Sequence, residues 1–257
     1  MDRSRFFSVI GRYKTIDNPI SLAKVDTVIE ALQLSPASRV LDIACGKAEM
    51  LCGIAERYGA VCVGVERSPY FCTEAREKVQ SRGLSDLVTL EEMSGEDFTA
   101  PEATFDLAMC VGAEWVFGGW SGTLTRLRQW AKPGATVVAG TPFWISPPSA
   151  AYLKAMGLAS DSFSTHAGHV AAGESLGLDL LFSVASNQDD WDNYMGLSWR
   201  AAYDFIRDQP NDPDSAEIEE RTVNDKNSYL RYGRDCLGWA IYAFRKREPS
   251  IADNGSR

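Results

Sequence analysis

The segment DIACGKAEM, Asp42 to Met50, follows directly on an apolar run and precedes a helical pattern. At the carboxyl end of the first strand of a parallel sheet, small residues of this kind let backbone amides approach a ligand at a helix N-terminus. A plain tight turn is the alternative for the loop alone. The second apolar run ends in Glu66, 20 residues beyond Gly46, where an acidic side chain can accept hydrogen bonds from both hydroxyls of a ribose. Turn and acid together point to an adenosine-bearing ligand. Asp42, just ahead of the turn, repels a pyrophosphate but can orient a cationic or amino-bearing cofactor. The GxGxxG of dinucleotide sites is missing, which disfavours a nicotinamide.

These residues need a frame that brings strand ends together. Apolar Leu22, Val25, Ile29 and Leu32 recur at helical spacing, and Pro36 stops that helix. Five short β-rich runs follow, RVLDIA (39–44), AVCVGVE (60–66), LVTLE (87–91), FDLAMCV (105–111) and ATVVAG (135–140), with helical stretches near 48–58, 69–82 and 121–131 between them. Runs that are apolar at nearly every residue suit parallel strands covered by helices on both faces. The pattern predicts an open α/β sheet. After residue 145 it changes: a turn and short helix at SPPSAAYLKAMG, a sixth strand at 178–186, a polar, aromatic-rich helical stretch over 187–236 interrupted by QPNDPD, and a closing strand at GWAIYAFRK. The organisation expected is a single domain over 1–247, with an N-terminal cap and helix (1–35), a cofactor-binding core (36–145), a helical lid insert (187–236) and a disordered tail (248–257).

Composition limits the partners. The chain has 257 residues, 45% hydrophobic, and a net charge of −9. Acidity gives the electrostatic attraction that dominates nonspecific nucleic-acid binding the wrong sign, so no nucleic-acid partner is expected. The insert carries 6 basic and 12 acidic residues, two thirds of the net excess. No apolar run approaches a membrane span and no signal-peptide core follows the N-terminus, so no membrane partner is expected and a cytoplasmic location is read. The cysteines, Cys45, Cys52, Cys62, Cys72, Cys110 and Cys236, form no CxxC pair and read as reduced structural thiols. His166 and His169 can share a helical face, but nothing nearby completes a ligand set, so no metal is expected.

Taken together, the chain resembles the class I S-adenosylmethionine-dependent methyltransferases. VLDIACGKAEM is similar to their first motif, VGVERS to the second-strand motif with its ribose-binding acid, EMSGEDF (92–98) to the loop bracketing adenine, and KPGATVVAG to the turn before the fifth strand. CVGAEWVFGGW, PFWISPP, DWDNYMGLSWRA and YLRYGRDCLGWAIYAF resemble a bacterial branch with a helical insert between strands six and seven. The resemblance implies a Rossmann-like fold with a seven-stranded, mostly parallel sheet, helices on both faces and a helical lid. It implies S-adenosyl-L-methionine as cofactor and S-adenosyl-L-homocysteine as product. By position, Asp42, Ala44 and Gly46 would surround the methionine part and Glu66 the ribose. Arg67 would lie near the adenine edge, Ser94, Gly95 and Glu96 along the other side of the base, and Cys110 behind the cofactor. Ala44 and Ala48 replace motif glycines, and an alanine takes positive φ less easily. Where relatives often carry Ser-His after strand four this chain has Glu114 and Trp115, and where they often carry Gly-Glu after strand five it has Gly140 and Thr141.

The chemistry implied is in-line methyl transfer to a small-molecule acceptor, which needs alignment more than acid–base machinery. Glu114 is the candidate base, with a capping carboxylate as its alternative. Trp115, Trp120 and Trp144 can wall the pocket or pack against the insert. Tyr13 and Asn18 of the N-terminal segment, and Tyr194, Trp199 and Arg200 of the insert, are candidate acceptor contacts; for Arg200, Arg231 and Arg234 ion pairing with Asp204 or Asp235 is the default and binding a substrate carboxylate the sharper option. Non-methyl-transfer chemistry on the same scaffold, of lyase or dehalogenase type, and a non-catalytic cofactor-binding module remain open readings. Oligomeric state is not legible.

Overall fold

The computed structural model describes residues 1–248; the tail expected to be disordered lies outside them from 249 onward. Seven strands, β1 (Arg39–Ile43), β2 (Val61–Glu66), β3 (Val88–Glu92), β4 (Phe105–Val111), β5 (Ala131–Trp144), β6 (Leu178–Ala185) and β7 (Leu237–Lys246), form one sheet in the order β3-β2-β1-β4-β5-β7-β6. The first five run parallel, and β7 inserts antiparallel between β5 and β6. This is the Rossmann-like methyltransferase arrangement, with its order reversing between β1 and β4, where open α/β sheets bind ligands.

One face of the sheet is covered by α2 (Leu22–Ala31), α3 (Glu49–Tyr58) and α4 (Pro69–Ser81), whose Val25, Ile29, Leu51, Ile54 and Ala75 join Val40, Leu107 and Met109 in one core cluster. The other is covered by α5 (Trp120–Trp130) and α7 (His166–Ser175), where Leu124 and Leu127 pack with Leu41, Ala108, Cys110 and Phe244. Side chains alternate along β1 and β4, so Asp42 and Val111 share the first face and Cys110 the second.

Beyond β5 lies the short α6 (Ala150–Met156), and the insert forms α8 (Gln188–Asp208) and α9 (Ser215–Ser228). Asn187 caps α8 by accepting from the Asp190 amide, and Asp190 in turn accepts from the Asn187 amide. Two features depart from the sequence expectation. β5 extends to Ala131–Trp144, since β4 pairs with it at Ala131 and β7 from Thr136 to Trp144. The N-terminal segment begins with its own helix, α1 (Arg3–Ile10), whose Phe6, Val9 and Ile10 pack on Ala202 and Ile218 of the insert.

Candidate active site

The carboxyl ends of β1, β2 and β4 open into a cavity of about 590 Å³, closed from above by α1, the segment 16–19 and the start of α8. The loop after β1 is built from left-handed residues: φ is +57° at Ala44, +56° at Gly46 and +58° at Ala48. Both alanines therefore do adopt the conformation that glycine takes more easily. A Cβ at Gly46 would meet nothing within 4 Å, whereas one at Gly95 would stand 2.5 Å from Ile43 Cγ2, so a side chain there would push the 94–96 loop off β1.

Asp42 is buried and its Oδ1 has no partner. Burial, and then the charge of Glu66, hold its carboxyl well above the usual range. Glu66 is also buried; its Oε2 accepts from the Gly46 amide at 3.1 Å and its Oε1 from the Ser68 amide at 2.7 Å. Burial raises its pKa, against the lowering effect of those amides. Glu114 opens a short 3-10 turn, Glu114–Phe117, past β4. Its Oε2 is buried without a partner, and burial raises its pKa although its own backbone and the Thr141 side chain stabilise the charge. Thr141, near the end of β5, thus lies against the carboxylate that the β4 end supplies.

The N-terminal segment is fixed to this site from two directions. Asn18 Nδ2 donates to the Val111 carbonyl at 3.2 Å, over Gly112, where φ is +88° and a Cβ would stand 2.0 Å from Asn18 Oδ1. Lys47, buried beside Gly46, donates to the carbonyls of Gly11 and Lys14 and pairs with Glu74 at 2.8 Å.

Of the residues singled out from sequence, Asp42, Ala44, Gly46, Glu66, Arg67, Ser94, Gly95, Glu96, Glu114, Trp115 and Tyr194 line this cavity together. Others do not. Cys110 points to the opposite face of β4, into the core beneath α5, which is why it cannot back a ligand here. Trp144 lies past the cavity, packed on Tyr152 and Phe163 with its indole donating to the Ser160 carbonyl at 3.0 Å. Trp120 is buried against His169 and Tyr242. Tyr13 points outward and donates to Asp204 at 2.9 Å, with Arg200 stacked on its ring and 3.7 Å from the same carboxylate. Arg234 pairs with Asp192 at 2.9 Å rather than with Asp204 or Asp235. Trp199 lines a second, smaller cavity. His166 and His169 are aromatic packing: His169 lies 3.1 Å from the Pro142 carbonyl, and burial pushes its pKa down to about 4. Sequence reasoning missed Arg3, Phe7 and Asp17, which line the cavity because α1 and its following segment fold over it; the apolar spacing of Phe6, Val9 and Ile10 was the available signal.

Comparison with known proteins identifies the family and the fold. The methyltransferase-domain family matches residues 40–134. The uncharacterized protein YjhP of Escherichia coli (strain K12) is 32% identical over 249 residues, covering 96% of this chain and 100% of its own. A crystal structure of an S-adenosylmethionine-dependent methyltransferase from Thiobacillus denitrificans in complex with S-adenosyl-L-homocysteine superposes with a TM-score of 0.88 at 31% identity, covering 96% of this chain and all of that one. The chain belongs to the class I S-adenosylmethionine-dependent methyltransferases. A methyltransferase from Geobacter sulfurreducens, also in complex with S-adenosyl-L-homocysteine, matches at a TM-score of 0.89 and 29% identity over 95% of this chain and 98% of that one.

S-adenosylmethionine is thus the cofactor of this methyltransferase, and the residues present fit it. Asp42 lines the cavity and holds a buried, unpaired oxygen, a partner suited to an amino group. The open face over Gly46 leaves room beside the backbone, and the carboxylate of Glu66, which lines the cavity, is suited to accept from ribose hydroxyls. Among the described residues no helix is long and apolar enough to cross a membrane.

Proposed function

We propose that this methyltransferase acts on a small-molecule acceptor, with Glu114 receiving the acceptor's proton. The observation that carries the reading is the unpartnered Glu114 Oε2, buried at the cavity wall beside the β1 loop. Bound S-adenosylmethionine supplies an electrophilic methyl on a sulfonium, so the protein's task is orientation, charge matching and exclusion of water. In this reading Asp42 holds the amino group of the methionine part. Glu66 exchanges its amide contacts with Gly46 and Ser68 for ribose hydroxyls, and Arg67, Ser94, Gly95 and Glu96 flank the base. Gly112, with no side chain, lets Asn18 close the segment 16–19 over the site.

Raising the pKa of Glu114 makes its carboxylate a better proton acceptor for a nucleophilic hydroxyl, thiol or amine. Trp115, stacked against Arg3, and Trp191 and Tyr194 of the insert wall the acceptor side. That enclosure, with the net charge of −9, supports a small neutral or cationic acceptor over an extended polyanion. Six free cysteines are compatible with a reducing, cytoplasmic setting. The test is incubation with methyl-labelled S-adenosylmethionine and a cell extract split into low-mass metabolites and macromolecules. Label in a low-mass product supports the proposal; label confined to RNA or protein contradicts it.

A further inference from the structure

A second cavity, of about 290 Å³, lies beneath the insert and shares Phe7, Trp191 and Tyr194 with the cofactor cavity. Half of its lining residues are aromatic. Trp191 stacks on Tyr229 at 6.0 Å, Trp199 leans on Tyr229 at 6.1 Å, and Tyr194 meets Trp191 edge-on at 6.2 Å. Aliphatic side chains would fill a helix seam as well; a ring of aromatic side chains around an empty volume instead presents negative π faces.

The polar atoms in that wall are the informative ones. Trp191 Nε1, Trp199 Nε1 and Thr222 Oγ1 are buried without hydrogen-bond partners, and Trp191 and Thr222 are only 8% and 3% exposed. An unpartnered buried donor is costly, and the residues carrying these three all line one cavity, so a ligand that reaches them needs an oxygen acceptor. Asp225 on α9 faces the same space and, among the described residues, makes no ion pair. The nearby cations pair with other groups, Arg221 with Glu217 at 2.5 Å, Lys226 with the Tyr203 hydroxyl at 2.7 Å and Lys14 with Asp17 at 3.1 Å, and two of them also meet rings of this wall, Lys14 over Tyr194 at 3.9 Å and Arg221 over Phe6 at 5.2 Å. A carboxylate without an ion-pair partner beside aromatic rings is complementary to a cation, which satisfies the charge and the π faces together.

We propose that this second cavity is the acceptor-binding pocket and that it recognises an organic ammonium group on a small body that also carries a hydroxyl or carbonyl oxygen. The inference rests on the methyltransferase reading of the adjoining cavity, through whose shared wall the acceptor's reactive end must reach the methyl group. Burial raises the Asp225 pKa, and an ammonium beside it reverses that shift.

Choline and its uncharged carbon isostere 3,3-dimethylbutan-1-ol are the probes, titrated calorimetrically into the full-length protein with and without S-adenosyl-L-homocysteine. Choline binds, the isostere binds at least about tenfold more weakly, and Asp225→Asn removes the difference while leaving S-adenosyl-L-homocysteine affinity intact. Trp199→Leu weakens choline as well, a second variant that leaves the carboxylate in place. Equal binding of the two probes, no binding of choline, or an unchanged preference in Asp225→Asn would overturn the proposal. Loss of S-adenosyl-L-homocysteine binding with the choline preference retained would instead contradict the assignment of the adjoining cavity.

Discussion

The ammonium of Lys47 donates to the backbone carbonyls of Gly11 at 2.8 Å and of Lys14 at 3.1 Å, which ties the β1 loop to the N-terminal segment that roofs the cavity. A residue of the loop after β1 is thereby a strut for the cover as well. Lys47→Met leaves both carbonyls without this donor, and the cost expected is about 2–4 kcal/mol of stability. Urea unfolding reads the loss. Amide exchange should quicken over residues 11–18 first; uniform quickening would mean that the strut is not local.

Asp42 carries a pH signature. Burial first, and the Glu66 charge second, raise its pKa in the free protein, and an ammonium placed beside it lowers that pKa again. Binding of S-adenosyl-L-homocysteine should therefore release a proton, and affinity should rise as pH climbs through the free-protein pKa. The stability linkage has the opposite sense. With the native pKa above the unfolded one, the native chain holds its proton longer, so this group's contribution to stability falls as pH rises through the same window. Calorimetry in buffers of different ionisation enthalpy measures the release. Asp42→Asn should abolish it.

Glu114 predicts the shape of a pH–rate profile once an acceptor is identified. Its raised pKa places the rising limb of kcat/KM above the ordinary glutamate range, because only the carboxylate accepts a proton. Glu114→Gln should lose that limb and fall on the order of 10²-fold in rate. An unchanged profile would assign Glu114 to capping.

Ala44 holds φ at +57°, a conformation costing an L-residue roughly 1–2 kcal/mol. Ala44→Gly relieves it, less the roughly 0.5–1 kcal/mol of extra unfolded-state freedom that glycine brings. A net stabilisation of about 0.5–1 kcal/mol is expected from denaturant midpoints. Destabilisation would mean that the alanine methyl contributes packing in the cavity wall.

Much of this was legible in the sequence because short-range physics governs it. Continuous apolar runs mark buried strands, and small residues followed by Glu66 mark the ligand end of β1 and β2. What escaped depends on contacts distant in sequence. The family resemblance implies Cys110 behind the cofactor, but period-2 alternation assigns it to the face beneath α5, while its neighbour Val111 reaches the cavity. Trp144 and Tyr13 have the composition of pocket residues, yet hydrogen bonds to Ser160 and Asp204 direct them elsewhere. No local pattern announces those partners. α1 gains its stability from Ala202 and Ile218, roughly two hundred residues away, so its own sequence shows only a weak apolar stripe.

The assignment of Glu66 and the β1 loop as the cofactor site is tested most directly by calorimetric titration of S-adenosyl-L-homocysteine into the wild-type chain and Glu66→Ala. Saturable binding to the wild type is required, with a loss of roughly 1.5–3 kcal/mol in the variant, the worth of hydrogen bonds to a charged group. No binding at millimolar ligand, or equal affinity in the two proteins, would contradict it.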